Sequence, residues 1–189
     1  MKKFATIALT LARAATAAWA SATTVGICQL VQHEALDAAT QGFKDALTEK
    51  MPDVKFDEQN AAGDAATCVT ITSKFAADGV DLILANATAP LQAAVSATGD
   101  IPILGPSITD YETALGMKEW NGTTGINVSG TSDLAPLDGQ AAMIQELFPD
   151  AKNVGLIYCS AEANSIYQIT VIKGYLEEMG YTFTEFAFT

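Results

Sequence analysis

Apolar residues follow two alternating patterns along the chain. Short apolar runs rich in β-branched residues alternate with longer segments in which apolar residues recur at helical spacing. A short apolar run bounded by turn residues predicts a buried strand, whereas helical spacing predicts an amphipathic helix. The predicted strands are residues 24–31, 54–59, 80–85, 101–105, 124–128, 153–158 and 181–188.

The predicted helices lie between these strands, at residues 35–47, 68–75, 91–95, 137–148 and 169–179. Strands that alternate with helices through short connections form βαβ units, in which the strands are parallel and the crossovers are right-handed. The sequence therefore predicts an α/β protein built from Rossmann-like parallel sheets.

The alternation is interrupted between Gly105 and Thr131, in a segment rich in Gly, Thr, Asn and Ser. We predict loops and a short edge strand there, and a second series of strands and helices after it. This predicts an N-terminal lobe over residues 23–131 and the start of a second lobe over residues 132–189. The first lobe is expected to be complete. The second is expected to be a loosely packed fragment, because two parallel strands leave open edges and cannot bury both faces.

The N-terminus has the pattern of a signal peptide, residues 1–22. Lys2-Lys3 precedes a short apolar run at residues 4–12, and Ala20-Ser21-Ala22 has the small residues of a signal-peptidase site, with Ala18-Trp19-Ala20 as a second candidate. An amphipathic first helix is the alternative, but no helical stripe runs through the segment. The apolar run is shorter than the ~20 residues that span a bilayer. We therefore expect an exported protein, in the periplasm or on the extracellular face of the membrane.

Composition narrows the classes of partner. The 189 residues include 10 basic and 22 acidic side chains, a net charge of −12. This argues against a nucleic-acid partner, because too few cations are present to neutralise phosphates. Arg13, within the predicted signal peptide, is the only arginine of the chain. The folded part must therefore bind any anion without a guanidinium group.

Motifs of catalysis are missing from the sequence. No GxGxxG, GxxxxGK[ST] or GxSxG pattern occurs, and no His, Cys, Asp and Glu have the spacing of metal ligands. We expect no catalytic residue, no metal and no cofactor, and hence a protein that is not an enzyme.

Three cysteines lie in apolar patterns, at Cys28, Cys68 and Cys159. We interpret them as small buried hydrophobic residues, and their odd number leaves at least one unpaired. Ile27 before Cys28 is too bulky for a lipoprotein cleavage site.

The candidate ligand-binding residues follow the strands, because ligands of open parallel sheets collect beyond the carboxyl ends of the strands. They are Gln29, His33, Asn86, Thr88, Ser107, Asp110, Ser129, Ser160, Glu162, Asn164 and Ser165. Hydroxyl groups and helix N-termini can hold a carboxylate without arginine, while Glu34, Asp110 or Glu162 can accept an ammonium group. The set therefore suits a small zwitterion.

Ordinary structural roles are open for some of these residues. Thr88 and Ser107 are also suited to be helix N-caps. Asp110 and Glu162 are also interpretable as solvated surface charges, and His33 as an ordinary loop residue.

Several segments together resemble one known family. They are residues 24–37 (TVGICQLVQHEALD), Asn86-Ala87-Thr88 with Gln92, residues 105–110 (GPSITD), residues 127–130 (NVSG) and residues 160–165 (SAEANS). In this order they are similar to solute-binding proteins of ABC importers, in the subgroup associated with tryptophan and other aromatic amino acids. The chain departs from that pattern at Pro106 and Ala163, and it lacks the lipoprotein cysteine of Gram-positive relatives.

The resemblance implies a two-lobed type I periplasmic-binding-protein fold that closes on its ligand. It also implies two partners, an amino acid and an ABC permease subunit in the membrane. Three alternatives stay open: a ligand-sensing or regulatory module with the same fold, a binding protein for another small polar solute, and an α/β enzyme.

Export generates the first testable prediction. If residues 1–22 are a signal peptide, the mature protein begins near Thr23, because the small residues at Ala20 and Ala22 direct cleavage there. N-terminal sequencing of the secreted protein checks this, and secreted protein that still begins at Met1 would contradict it.

Overall fold

The computed structural model describes residues 22–189, so the predicted signal peptide, apart from Ala22, lies outside the described residues. The strands are β1 Thr24–Gln29, β2 Lys55–Asn60, β3 Leu82–Asn86, β4 Ile103–Ile108, β5 Val128–Ser132, β6 Asn153–Cys159 and β7 Thr182–Phe188. The helices are α1 Glu34–Lys50, α2 Ala65–Asp78, α3 Thr88–Ala97, α4 Tyr111–Leu115, α5 Leu137–Leu147 and α6 Ala163–Glu178. The predicted alternation of strands and helices is confirmed.

The strands form two parallel sheets. The first has five strands in the order β2-β1-β3-β4-β5, and the second pairs β6 with β7. Every paired strand is parallel to its neighbour. The α/β prediction is therefore confirmed. Among residues 22–189, no helix combines the length and the apolarity needed to cross a membrane.

The first sheet is buried on both faces. Alternate residues of β1 point to opposite faces, so Val25 and Ile27 join a cluster with Phe43 of α1. Cys28 joins the cluster on the other face, which includes Phe75 of α2. The apolar run of β1 is thereby explained, because a central parallel strand is covered on both sides.

A close approach on this second face requires glycine. A Cβ atom at Gly26 would lie 2.6 Å from the ring of Phe75, which is fully buried. Gly26 therefore allows α2 to pack directly against β1.

The second sheet is covered on one face. Leu156 of β6 packs with Ala141 of α5 and Leu176 of α6. On the opposite face, Ile157, Phe186 and Phe188 are 75%, 56% and 54% exposed.

Two features between Gly105 and Thr131 differ from the sequence prediction. The edge strand predicted at residues 124–128 is wrong in position, because the observed edge strand, β5, begins at Val128. The predicted segment is instead held in turns, with Thr124 Oγ1 donating to the Val128 carbonyl and Asn127 Nδ2 donating to the Ile101 carbonyl.

The short helix α4 was not predicted. This short helix is defined by the residues that cap its two ends rather than by an apolar stripe. Asp110 accepts a hydrogen bond from the Thr113 amide at its start, and Gly116 ends it with a φ of 61°.

Gly26 supplies a test of the α2–β1 packing. We expect Gly26→Ala to lower the free energy of unfolding by about 1–3 kcal/mol, because the added methyl group overpacks the Phe75 ring. Gly42→Ala is the matched control. It lies in α1 with no atom within 4 Å of its Cβ position, so it should raise stability by about 0.5–1 kcal/mol. Urea denaturation measures both, and a Gly26→Ala protein as stable as the parent would contradict the packing.

Candidate functional site

The carboxyl ends of both sheets border one cavity of about 410 Å³. This volume lies within the ~300–1,000 Å³ that is common for small-molecule sites. The first sheet and its connections contribute Leu30, Leu36, Gly63, Ala65, Ala87, Thr88, Ala89, Gln92, Ser107, Thr109 and Asp133. The second sheet and α6 contribute Cys159, Ala161, Glu162, Ala163, Asn164 and Thr189.

Two helices begin at this cavity without a side-chain cap. The N-cap residues of α3 and α6 are Ala87 and Glu162, and neither side chain accepts a hydrogen bond from the first turn. The first amides of a helix have no partner within the helix and carry partial positive charge. The cavity is therefore bordered by two groups of backbone donors suited to an anion, one at the start of α3 and one at the start of α6.

Other helices of the first sheet satisfy their N-termini internally. His33 Nδ1 accepts from the Ala35 amide at α1, and Asp64 accepts from two amides at α2. The helix α5 also lacks a side-chain cap, at Pro136, but Pro136 does not line the cavity. The open N-termini of α3 and α6 are thus the two that face the same space.

Two carboxylates line the cavity, those of Asp133 and Glu162. Asp133 follows β5, where its amide donates to the Ile108 carbonyl. Among residues 22–189, no Lys, Arg or His lines this cavity. Positive charge at the site therefore comes from backbone amides, and negative charge comes from these side chains.

The backbone is strained around the cavity. Within residues 22–189, the non-glycine residues with positive φ are Ala62 at 53°, Ala87 at 106° and Ser107 at 58°. Ala87 and Ser107 line the cavity, and Ala62 precedes Gly63, which also lines it. Such conformations cost of order 1–3 kcal/mol each and cluster at ligand sites.

Four of the candidate residues from the sequence line the cavity: Thr88, Ser107, Glu162 and Asn164. Thr88 is the first residue of α3 rather than its N-cap. Ser107 lies inside β4 rather than at a helix start. Their positions do not support the alternative interpretation as N-caps.

Gln29 and Asn86 are buried and are not part of the cavity lining, although each directly precedes a lining residue, Leu30 and Ala87. Asn86 Nδ2 donates to the Leu36 carbonyl and to Thr40 Oγ1, and Thr40 in turn donates to Gln29 Oε1. This network joins β1 and β3 to α1. It therefore fixes the position of Leu36, which does line the cavity.

Five further candidates have other contacts. His33 caps α1 and Asp110 caps α4. Ser160 Oγ donates to the Phe188 carbonyl, and Ser165 Oγ accepts from the Cys159 amide. Ser129 lines a separate cavity of about 340 Å³.

That separate cavity lies beside a stacked aromatic pair, Tyr111 and Trp120, whose ring centroids are 6.4 Å apart. Burial raises the pKa of Tyr111 to about 12. Its hydroxyl stays protonated at neutral pH and donates to the Gly105 carbonyl over 2.5 Å. This hydrogen bond connects α4 to β4 at Gly105, two residues before Ser107.

Sequence reasoning missed Asp133 because β5 was placed too early. A correct end for β5 would have put Asp133 among the residues that follow a strand. The apolar lining residues Leu30, Leu36 and Ala65 carry no chemical signal in the sequence, since they resemble core residues.

Comparison with known proteins decides the family. The family model described as ABC transporter substrate binding protein matches residues 24–189. The chain belongs to this family. The sequence-based resemblance is confirmed.

A tyrosine-binding protein from Clostridioides difficile (strain R20291) is 41% identical over 165 residues, which cover 85% of this chain and 48% of that protein. A Streptococcus pneumonia ABC domain solved in complex with L-Trp is 36% identical, with a TM-score of 0.82 over 89% of this chain and 58% of that chain. A ligand-free, open substrate binding protein with adhesive properties from Clostridium difficile is 40% identical, with a TM-score of 0.65 over 88% of this chain and 58% of that chain.

Three conclusions follow from these similarities. The two-lobed type I periplasmic-binding-protein fold is confirmed. The chain spans about half the length of the curated relative. It also superposes better on the L-Trp complex than on the open structure, although it shares slightly fewer identical residues with that complex.

Strain at Ala87 gives a prediction for stability. We expect Ala87→Gly to raise the free energy of unfolding by about 1 kcal/mol, because glycine adopts a φ of 106° without steric conflict. Ala38→Gly, on the exposed side of α1, is the control and should lower it by about 1 kcal/mol. Chemical denaturation of both variants measures the difference. If Ala87→Gly and Ala38→Gly lower the free energy of unfolding by the same amount, Ala87 is unstrained.

Proposed function

We propose that this protein is an exported solute-binding protein that captures an aromatic amino acid for an ABC importer. The observation that carries the proposal is the cavity that is lined by two helix N-termini without side-chain caps and by two carboxylates. In this proposal the protein performs no catalysis; it binds the ligand, and a permease subunit in the membrane receives it.

The ligand carboxylate is assigned to the open N-termini of α3 and α6. The amides of these first turns have no side-chain acceptor, and Thr88 and Ser107 add hydroxyl donors on the first-sheet side. A carboxylate between two helix N-termini receives charge-assisted hydrogen bonds without arginine. This explains how a chain without arginine in its folded part can bind an acid.

The ligand ammonium group is assigned to Asp133 and Glu162. They reach the cavity from different sheets, since Asp133 follows β5 and Glu162 precedes α6. An ammonium group that contacts both would draw the two sheets together. Closure of this kind excludes water and strengthens the same polar contacts.

The aromatic side chain is assigned to the small and apolar residues of the first sheet. Leu30, Leu36 and Ala65 present apolar surface, and Gly63 leaves room beside them. The ligands of two relatives, tyrosine and L-Trp, are aromatic amino acids and support this assignment.

Ligand-observed NMR with three probes tests the polar assignments. L-tryptophan has both charged groups, tryptamine lacks the carboxylate and indole-3-propionate lacks the ammonium group. We expect L-tryptophan to bind at least tenfold more tightly than either analogue, because each loses a charge-assisted interaction of ~1.5–3 kcal/mol. Equal binding of all three probes, or no binding of L-tryptophan, would contradict the proposal.

Variants locate the ammonium contact. Asp133→Asn and Glu162→Gln should each weaken L-tryptophan binding about tenfold while leaving indole-3-propionate unchanged. Asp138→Asn, in the first turn of α5 and outside the cavity lining, is the matched control and should change neither. A parallel loss for both probes in Asp133→Asn would indicate a damaged cavity rather than a lost ammonium contact.

A further inference from the structure

Two thiols are buried together in the core of the first sheet. Cys28 of β1 and Cys68 of α2 are both 0% exposed and belong to the same core cluster. Each thiol is the main cause of the shifted pKa of the other, which is consistent with their contact in this cluster. Both cysteines are free in this structure.

The packing of α2 on β1 explains why these side chains meet. Phe75 lies two helical turns after Cys68 and packs on Gly26, which lies two residues before Cys28 on the same face of β1. Since α2 connects two parallel strands, it runs antiparallel to β1. Seating Phe75 on Gly26 therefore brings Cys68 over Cys28.

The contact shifts the pKa values of the two thiols in opposite directions. Contact with Cys68 and burial raise the pKa of Cys28, whereas contact with Cys28 lowers the pKa of Cys68. Cys68 is thus the thiol that loses its proton first. A thiolate is the form that attacks a disulfide.

We propose that Cys28 and Cys68 are a disulfide modification site that fastens α2 to β1 under oxidising conditions. The oxidant is a small organic disulfide. During folding, before α2 closes over β1, the Cys68 thiolate attacks it and releases one thiolate, and Cys28 then displaces the second. The two cysteines lose two electrons and two protons, and the organic disulfide is reduced to two thiols.

The cross-link would close a loop of about 40 residues that contains α1 and β2. It would also support one wall of the cavity, because Gly63 and Ala65 lie just before Cys68. That wall is already held to β1 by hydrogen bonds from the Ala61 and Gly63 amides to the Gln29 and Leu30 carbonyls. The disulfide should therefore raise thermal stability, and we expect little change in ligand affinity.

Cys159 is the natural internal control. It lies in β6 of the other sheet, is only partly buried and lines the cavity. We expect it to keep its free thiol under conditions that join Cys28 to Cys68.

Refolding in a glutathione redox buffer tests the modification. The 189-residue chain is unfolded with reductant, refolded with oxidised and reduced glutathione, and then unfolded again for thiol counting and peptide mass mapping. We expect one reactive thiol out of three, a mass loss of about 2 Da and a single cross-linked peptide pair joining Cys28 to Cys68. Three remaining thiols, or a cross-link that includes Cys159, would overturn the proposal.

Thermal unfolding separates a stabilising disulfide from a strained one. In the Cys159→Ser background the oxidised protein should melt about 5–10 °C above the reduced protein, from the expected effect of closing a loop of this length. Cys68→Ala in the same background should show no dependence on reductant. If circular dichroism shows that Cys68→Ala does not fold, Cys28→Ala in the same background provides a second variant. An oxidised protein that melts at or below its reduced form would overturn the stabilising role.

Discussion

The parallel pairing of the strands is the constraint on which the site depends. Each strand of a parallel sheet ends at the same edge, so the connections after β1, β3 and β4 meet there. The second sheet presents the end of β6 and the start of α6 to the same cavity. Residues distant in sequence, such as Thr88 and Asn164, therefore border one volume.

The electrostatic character of that volume follows from the composition of the chain. With a net charge of −12 and no arginine after Arg13, the protein cannot offer a guanidinium group to an acid. The open N-termini of α3 and α6 supply positive character instead, and Asp133 and Glu162 supply the negative charge. A site with both hydrogen-bond donors and carboxylates complements a zwitterion, because the donors suit its anionic group and the carboxylates suit its cationic group.

Stability is distributed unevenly around the cavity. The first sheet is covered on both faces, whereas β6 and β7 leave Ile157 and Phe186 exposed on one face. The first sheet can therefore sustain backbone strain at Ala87 and Ser107, which belong to connections anchored in a closed core. Cys28 and Cys68 lie within that core, where a cross-link would reinforce the more stable part of the molecule.

The sequence alone was sufficient for the order and type of the main elements and for the family. Apolar runs such as that of β1 and stripes such as that of α1 are local patterns, and they appear wherever one periodicity dominates. It also predicted that ligand contacts follow the strands, and four of the residues in that prediction, Thr88, Ser107, Glu162 and Asn164, line the cavity. Tertiary structure decided what local patterns do not encode. The helix α4 and the start of β5 depend on capping and turn hydrogen bonds rather than periodicity. Asn86 lies in a buried network because the position of α1 places Leu36 and Thr40 beside it. Asp133 reaches the cavity, and Cys28 meets Cys68, only because chain segments far apart in sequence are packed together, and no pattern within one segment specifies such a distance.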